Sequence, residues 1–325
     1  MWFIFSIIAL LCWSGSDLFS KVGTAQKDKN SHWKVVFAVG FIMGIHFLIT
    51  LVGGALIEDP ESVPKFVASL FYTDFTLRDF FVYLPVAAIY IAAMVFGYIG
   101  LRYIELSISS PICNCSGSLA FLLCALIWPD EAIKNPLAII GVIAVSLGIV
   151  MLGFVESHED EELRALRQEK SNRKYAKSVL ALLLPIIYLV VDALGTVADE
   201  YLFSIEDEFG NGIITDYASN SAFELTFFLL AIVAFIVLAI KKDTRSLFKN
   251  RAIFAGGTCE TVGQIFYMAV MFADYTIGMV IISAYCVLSV VWSAIFLKER
   301  LSAKHYLSVG ITLLGIILIG IVTGG

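Results

Sequence analysis

The stretch SAFELTFFLLAIVAFIVLAI, residues 221–240, contains a single charged residue, Glu224. A helix of about 20 apolar residues spans the roughly 30 Å of hydrocarbon in a lipid bilayer. Similar apolar runs recur along the chain, in which 59% of the residues are hydrophobic, 15% are charged and the mean hydropathy is +0.87. A soluble protein of 325 residues needs a more highly charged surface than this. The sequence therefore predicts an all-α integral membrane protein.

Hydropathy and helix-breaking residues divide the chain into about ten membrane-spanning helices. Their predicted ranges are 2–21, 34–56, 80–101, 106–127, 136–155, 177–200, 215–240, 252–272, 276–297 and 304–323. The charged segment 156–176 separates two groups of five, so we expect one five-helix repeat at 1–155 and a second at 177–325. The i,i+4 spacing of acids and bases in the segment between them predicts a short, solvated helix that acts as a linker.

The two groups share a pattern near their starts. Trp13 precedes Asp17 by four positions, and Tyr188 precedes Asp192 by four positions. Further along, GYIGLRYIELSISSPI and FYMAVMFADYTIGMVI align with Tyr98 of the first segment opposite Tyr267 of the second. Because five is an odd number of crossings, the second copy would run through the membrane in the opposite direction. Inverted repeats of this kind are typical of secondary transporters, which bind substrate at the midplane between the two halves.

The closing helices of the two halves carry the most specific motifs. They read SSPICNCSGSLAFLLCALIWPDEAIKNPLAIIGVIAVSLGIVML (109–152) and GMVIISAYCVLSVVWSAIFLKERLSAKHYLSVGITLLGIILIG (278–320). In these segments the chain resembles the drug/metabolite transporter superfamily, in particular its ten-helix EamA-like members. Pro111 matches the proline of the family's fourth span, and Glu131 and Glu299 match the acids after its fourth and ninth spans. The resemblance implies a 5+5 inverted repeat that transports a small organic molecule. The ninth span lacks a proline, so a kink there needs another cause.

Apart from acids within two residues of a span's end, the acids inside predicted spans are Asp17, Asp192, Glu224 and Glu260. The only nearby base is Lys21, one turn after Asp17, at the expected membrane interface. An ionised carboxylate at the centre of a bilayer costs about 3 kcal/mol. Such a group must be protonated, hydrated in a cavity or paired with a mobile cation. We therefore expect these acids to contact the substrate or a coupling ion. The alternative is that they hold the helices together through hydrogen bonds.

Aromatic side chains near these acids are candidates for the walls of a cation site, because ring faces attract ammonium groups most strongly where water is excluded. The candidates are Trp13, Tyr188, Tyr267, Tyr285 and Trp292, with Asn114 as a polar member of the same site. Tyr267 follows Glu260 by seven positions, which places both on a similar helix face. The alternative for each ring is ordinary packing or a place in the interfacial aromatic belt.

These features predict a secondary active transporter of a small cationic or zwitterionic metabolite, of the amine or quaternary-ammonium kind. Alternating access is the expected mechanism, and the buried acids would allow proton coupling. A carrier of neutral metabolites such as amino acids or sugars is an alternative, and a non-transporting receptor or scaffold is an alternative of another class. The sequence contains no metal-binding cluster, nucleophile motif or phosphate-binding glycine loop. We therefore expect no enzyme activity, no metal and no cofactor.

The expected partners are the lipid bilayer, a small-molecule substrate and protons, with no nucleic acid. The expected form is a monomer or homodimer in the plasma (inner) membrane. Of the 22 Lys and Arg residues, 19 lie in the odd-numbered connections between spans. The positive-inside rule then places these connections in the cytoplasm and both termini outside. The family resemblance implies both termini inside, so the two lines of reasoning conflict.

Overall fold

The computed structural model describes most of the chain. The described residues are 2–24, 27–127, 135–171, 173, 175, 178–206, 210, 212–283 and 285–323. Glu131 lies outside them. Across this part of the chain the architecture is helical, and the only β-type contact is an isolated bridge between Glu206 and Gly212. All six cysteines are free thiols.

The long helices correspond closely to the predicted spans. They are α1 (Trp2–Gly23), α2 (Ser31–Gly54), α4 (Leu77–Gly100), α7 (Pro136–His158), α9 (Val179–Phe203), α10 (Asp216–Ile240), α12 (Arg251–Ser283) and α14 (Ala303–Thr323). Shorter helices are α3 (Lys65–Phe71), α5 (Leu106–Cys113), α6 (Ser116–Ile127), α8 (Glu161–Arg167), α11 (Thr244–Leu247) and α13 (Tyr285–Trp292). A 3₁₀ turn covers Pro60–Ser62.

Six helical segments of the described chain are long and apolar enough to cross a membrane. They are Phe3–Gly23, Ser31–Gly54, Leu77–Gly100, Leu106–Cys124, Leu180–Phe203 and Asp216–Ile240. Three further apolar helices are shorter: Ile139–Val155, Tyr285–Leu297 and Ala303–Ile319. The prediction of an all-α, multi-pass membrane protein is therefore confirmed.

Two predicted spans are interrupted. The fourth is broken between α5 and α6, where Asn114 ends the first helix. Pro111 lies three residues earlier and cannot donate the hydrogen bond that a helix needs at its position. In the ninth span, which has no proline, α13 passes into a π-helix over Ser293–Leu297. Lys298 then adopts a left-handed conformation with φ of 57°. The π-helix supplies the irregularity that a proline would otherwise provide.

The predicted boundary between the eighth and ninth spans is wrong. The predicted eighth span ends at residue 272, whereas α12 continues without a break to Ser283. The segment between these points contains no proline, so every backbone nitrogen there can donate a helical hydrogen bond. The next helix begins at Tyr285.

The long helices pack in pairs that join the first and second groups of spans. Helix α1 packs along α12, α2 along α10, α4 along α9, α5 along α13 and α7 along α14. Glycines allow the closest of these approaches. A β-carbon at Gly40 of α2 would lie 2.3 Å from the Phe227 carbonyl oxygen of α10. A β-carbon at Gly315 of α14 would lie 2.6 Å from the Val145 nitrogen of α7.

The odd-numbered connections meet at one end of the bundle, called here the basic end. The hydrogen bonds that join them run from Asn250 to the Gly23 carbonyl (2.8 Å), from Arg102 to the Lys29 carbonyl (3.2 Å) and from Arg173 to the Val22 carbonyl (2.9 Å). At the opposite end, the Thr215 hydroxyl donates to Asp74 at 2.7 Å and joins two even-numbered connections. Among the described residues, the 2–3 and 6–7 connections therefore lie at the end opposite these odd-numbered connections, as the charge count assumed.

The charged segment 156–176 is packed into the basic end. The predicted short helix is present as α8 and is largely exposed, but Arg164 within it and Gln168 and Tyr175 after it are buried. These side chains fill space between the two groups of spans. The segment is therefore part of the folded bundle as well as a covalent link.

Arg167 is the centre of the ion pairs in this segment. Its guanidinium lies 2.6 Å from Glu105, in the connection before α5, and 2.8 Å from Glu159. It also donates to the Arg300 carbonyl at 3.0 Å, in the connection before α14. Burial lowers the pKa of Arg167, but the hydrogen bonds that it donates to Glu159 and the charge of Glu105 outweigh burial and hold this pKa above its ordinary value. One side chain of the linking segment thus contacts both halves.

Lys21 is directed toward the same end. Its ammonium group donates to the Leu101 carbonyl at 2.6 Å and to the Ile104 carbonyl, and it lies 4.5 Å from the centre of the Tyr175 ring. Lys21 is fully buried. The base that the sequence places closest to Asp17 is therefore fixed by backbone carbonyls and an aromatic face.

Candidate functional site

Asp17 lies between the two interrupted spans. The Ser110 hydroxyl of α5 donates to its Oδ2 at 2.5 Å, and the Ser289 hydroxyl of α13 donates to the same oxygen at 2.7 Å. The broken fourth span and the ninth span thus each contribute one donor. Both donors are neutral, so they orient the carboxyl without compensating a full negative charge.

Two more of the predicted acids lie in the same part of the bundle as Asp17. Glu260 on α12 is close enough to both Asp17 and Asp192 for electrostatic interaction. The hydroxyl of Ser16 is the hydrogen-bonding neighbour of Glu260, and that of Ser116 is the neighbour of Asp192. We call Asp17, Asp192 and Glu260 the acidic cluster. In the described part of the chain, no lysine or arginine forms a salt bridge with any of its members.

The predicted aromatic residues surround this cluster. The Trp13 ring lies 5.2 Å from the Tyr267 ring and 5.8 Å from the Tyr285 ring. Tyr285 interacts electrostatically with Asp17 and Glu260, and Tyr188 does so with Asp192 and Glu260. The Trp292 indole nitrogen donates to the Ser14 hydroxyl at 3.2 Å. Asn114, at the break in the fourth span, contacts Cys286 of α13.

Glycines seat two of these rings against the facing helix. A β-carbon at Gly263 of α12 would lie 2.5 Å from the Trp13 ring, and one at Gly97 of α4 would lie 2.9 Å from the Tyr188 ring. Trp13 and Tyr188 are the residues that the sequence pattern placed at equivalent positions in the two halves. Each ring therefore packs against a glycine of the other half.

These side chains are set among several helices and still keep accessible surface. The half-buried residues are Trp13, Asp17, Asn114, Tyr188, Asp192, Glu260, Tyr267, Tyr285 and Trp292. They come from α1, the break between α5 and α6, α9, α12 and α13. Polar groups that are partly accessible in this way can be reached by water or a small ligand. The structure thus brings together nine of the ten residues that the sequence predicted.

Sequence reasoning missed Tyr98 on α4 as a member of this group. Tyr98 interacts electrostatically with Glu260 and Asp17 and is only 8% exposed. Its hydroxyl finds no hydrogen-bond partner among the described residues. The repeat alignment had placed Tyr98 opposite Tyr267, and this was the signal that could have identified it. A buried hydroxyl without a partner is available to a ligand.

Glu224, the remaining predicted residue, lies elsewhere and has a partner. It is fully buried, and its Oε1 lies 2.7 Å from Nδ1 of His46 on α2. The Asn220 amide also donates to Oε1 at 3.3 Å. The expectation that Glu224 has no partner that can carry a positive charge is therefore wrong. The span of Glu224 contains no base, and the partner comes from α2, the helix packed against it.

Comparison with known proteins bears on the second half of the chain. Residues 209–321 match the model of the EamA-like transporter family. A search of curated proteins found no match. The matched segment extends from the start of α10 into α14 and includes Glu260, Tyr267, Tyr285 and Trp292. The resemblance predicted from the closing motifs is thereby confirmed over residues 209–321, which match the EamA-like transporter family model.

Proposed function

We propose that the protein is a secondary active transporter of a small cationic or zwitterionic metabolite. The acidic cluster and the aromatic rings around it form the substrate site, and the protein works in the plasma (inner) membrane. The family match supports transport of a small molecule across a membrane. The amine-like character of the substrate rests on the chemistry of the site.

The observation that carries this proposal is that no described residue supplies a fixed counter-charge to the acidic cluster. The only donors that bond directly to Asp17 in the described structure are two serine hydroxyls. The nearby Lys21 donates to backbone carbonyls at the basic end. Three carboxyls close together, with aromatic faces beside them, favour a bound cation. An ammonium group would supply the missing charge and lie over the rings.

The pairing of helices supports alternating access between two five-helix halves. If the spans are numbered in chain order, the observed pairs are 1–8, 2–7, 3–6, 4–9 and 5–10. Exchange of the two groups converts the first pair into the third and leaves the other three unchanged. This is the packing expected of a twofold-related 5+5 repeat. Rocking such halves against each other would expose a site at their interface to each side of the membrane in turn.

Ligand binding by the purified protein tests the substrate class. We expect choline, tetramethylammonium and ethanolamine to raise the thermal unfolding temperature, and glucose and gluconate to leave it unchanged. Glu260→Gln should weaken the response to the amines at least tenfold. Glu58→Gln, which changes an exposed acid, is the matched control. Uptake of labelled choline into proteoliposomes then separates a transporter from a receptor, which would bind without flux. Equal responses of Glu260→Gln and the control would refute the cation site.

A neutral substrate is the second candidate. It is favoured by the two serine hydroxyls that already satisfy one oxygen of Asp17, because an acid so bonded can serve to hold helices together. A response to glucose or neutral amino acids, with none to the amines, would support this candidate.

A further inference from the structure

The pair formed by His46 and Glu224 lies apart from the acidic cluster. Glu224 is 0% exposed and His46 is 5% exposed. In the described part of the chain, the hydrogen bonds of the two side chains reach only each other, Leu70 and Asn220. The substrate site proposed above does not use this pair.

The contacts of His46 fix how many protons the pair holds. Its Nε2 lies 3.2 Å from the Leu70 carbonyl oxygen, which can only accept a hydrogen bond, so Nε2 carries a proton. Its Nδ1 lies 2.7 Å from Glu224 Oε1, a distance that requires one proton between the two atoms. Whether that proton belongs to the imidazole or to the carboxyl, the pair is neutral overall. Neutrality is the state that a fully buried site favours.

The pair also has room for a second proton. Glu224 Oε2 is buried and has no hydrogen-bond partner among the described residues. Protonation there would give an imidazolium beside a neutral carboxylic acid, with a net charge of +1. Loss of the shared proton would instead give a net charge of −1. Each change puts an uncompensated charge into the membrane interior, which is stable only if water or a counter-charge reaches it.

Hydrogen bonds connect the pair to α12, the helix that carries Glu260. The Asn220 amide donates to Glu224 at 3.3 Å, and the Gln264 amide of α12 donates to the Asn220 oxygen at 3.2 Å. Gln264 follows Glu260 by four positions, so the two side chains lie on the same face of α12. A change of charge on Glu224 alters the acceptor at the end of this chain of amides. Such a change therefore alters the hydrogen bonds made by Gln264 on α12, the helix that carries Glu260.

Other titratable groups lie on the elements packed around the pair. They include Asp17 and Lys21 on α1, His32 and Lys34 on α2, Lys65 on α3, Asp79, Tyr83, Tyr90 and Tyr98 on α4, Asp216 and Tyr217 on α10, and Glu260 and Tyr267 on α12. Within the described part of the chain, no hydrogen bond of His46 or Glu224 reaches any of these groups. The Leu70 carbonyl is what α3 presents to the imidazole.

We propose that His46 and Glu224 form a proton-binding site that couples transport to the proton gradient, separate from the substrate site. The pair takes one proton from water on one side of the membrane and returns it to water on the other. Both side chains are shielded in the present conformation, so proton exchange must accompany the separation of α2 from α10. This inference rests on the proposed transport function and names its coupling ion.

Transport measurements test the coupling directly. Uptake of labelled choline into proteoliposomes is measured with and without an imposed pH gradient. We expect His46→Gln and Glu224→Gln to retain exchange of choline at equal pH but to lose the severalfold change in uptake that the gradient produces in the unaltered protein. His158→Gln and Glu58→Gln change exposed residues and are the matched controls. Gradient-driven uptake that persists in both pair variants would overturn the coupling role.

A second measurement needs no substrate. The chain has four histidines, so solid-state ¹⁵N spectra of histidine-labelled protein in liposomes are simple, and His46→Gln identifies the signal of interest. We expect Nδ1 of His46 to show a shared proton and to change with pH. Glu224→Gln should abolish both features and leave Nε2 protonated. A His46 signal identical in the unaltered protein and in Glu224→Gln at every pH would refute the proton site. Absence of any response to amines would refute only the proposed substrate class.

Discussion

Gly263 lies against the indole of Trp13 so closely that a β-carbon on it would meet the ring at 2.5 Å. We expect Gly263→Ala to displace Trp13 from Tyr267 and Tyr285, because the overlap is with a rigid ring. Overpacking of this kind costs about 1–3 kcal/mol of folding free energy. The thermal unfolding temperature should fall and amine binding should weaken together.

Gly310→Ala is the matched control for this substitution. Gly310 lies on α14, and a β-carbon there would meet nothing within 4 Å. Alanine is favoured over glycine in a helix by roughly 0.5–1 kcal/mol, so this variant should be unchanged or slightly more stable. Equal effects of the two substitutions would show that the contact with Trp13 is unimportant.

Tyr98→Phe separates ligand binding from stability. The Tyr98 hydroxyl is buried without a partner among the described residues, so its removal should leave the unfolding temperature unchanged or raise it slightly. If the hydroxyl bonds to the substrate, the dissociation constant for the amine should rise about five- to tenfold. Titration calorimetry and thermal unfolding measure the two quantities. A stability loss without a change in affinity would assign Tyr98 to packing alone.

Removal of one partner from the ion pair of Arg167 and Glu105 should strongly destabilise the protein, because both side chains are nearly inaccessible to solvent. Removal of one partner from a buried pair costs about 3–5 kcal/mol, since the other charge stays buried. We expect Arg167→Ala to lower the unfolding temperature markedly. Lys65→Ala breaks the exposed pair with Glu61 and should have a several-fold smaller effect. Similar effects of the two variants would contradict the packing of segment 156–176.

Asp243 predicts an acid-dependent component of stability. Burial raises the pKa of its carboxyl, but hydrogen bonds from Lys34, Ser246 and Asn30 outweigh burial and lower this pKa to about 2. A carboxyl with a lowered native pKa stabilises fully above its unfolded pKa of about 3.9 and loses this contribution as the pH falls toward its native pKa. The difference in unfolding temperature between the unaltered protein and Asp243→Asn should therefore shrink below about pH 4. A difference independent of pH would contradict the interaction.

Labelling of single cysteines fixes the orientation. Glu58 and Lys249 lie in an even-numbered and an odd-numbered connection, so Glu58→Cys and Lys249→Cys should react from opposite sides of the membrane. The charge count predicts that the cysteine at position 249 is on the cytoplasmic side. The labelled proteins should have their native cysteines replaced, and transport provides the control for folding. Labelling of position 249 from outside would favour the orientation implied by the family.

Much of the fold was predictable from single helices. The length and hydropathy of runs such as 221–240 suffice to identify spans, and Pro111 marks the fourth as irregular. The continuation of α12 through residues 273–283 was not predictable, because polar residues there resemble a loop. The burial of Arg164, Gln168 and Tyr175 was also missed. The pattern of charges along one helix cannot show which acids of other connections form ion pairs with it in the folded protein.

The candidate site was likewise predictable only in part. The repeat of an aromatic residue before an aspartate located Trp13, Asp17, Tyr188 and Asp192. It could not show that Ser110 and Ser289 donate to Asp17 from two other spans, because that contact depends on how the interrupted helices cross. The partner of Glu224 was missed for a related reason. His46 is 178 positions away in sequence, and only the packing of α2 on α10 brings the two residues together.

The packing of segment 156–176 ties the two halves of the chain together. Arg167 contacts Glu105 from one half and the Arg300 backbone from the other, and Tyr175 lies under Lys21. Separately expressed fragments 1–155 and 177–325 would therefore lack the segment that packs at the interface between them. Co-expression of these fragments should yield an active assembly only when residues 156–176 are retained on one of the two polypeptides.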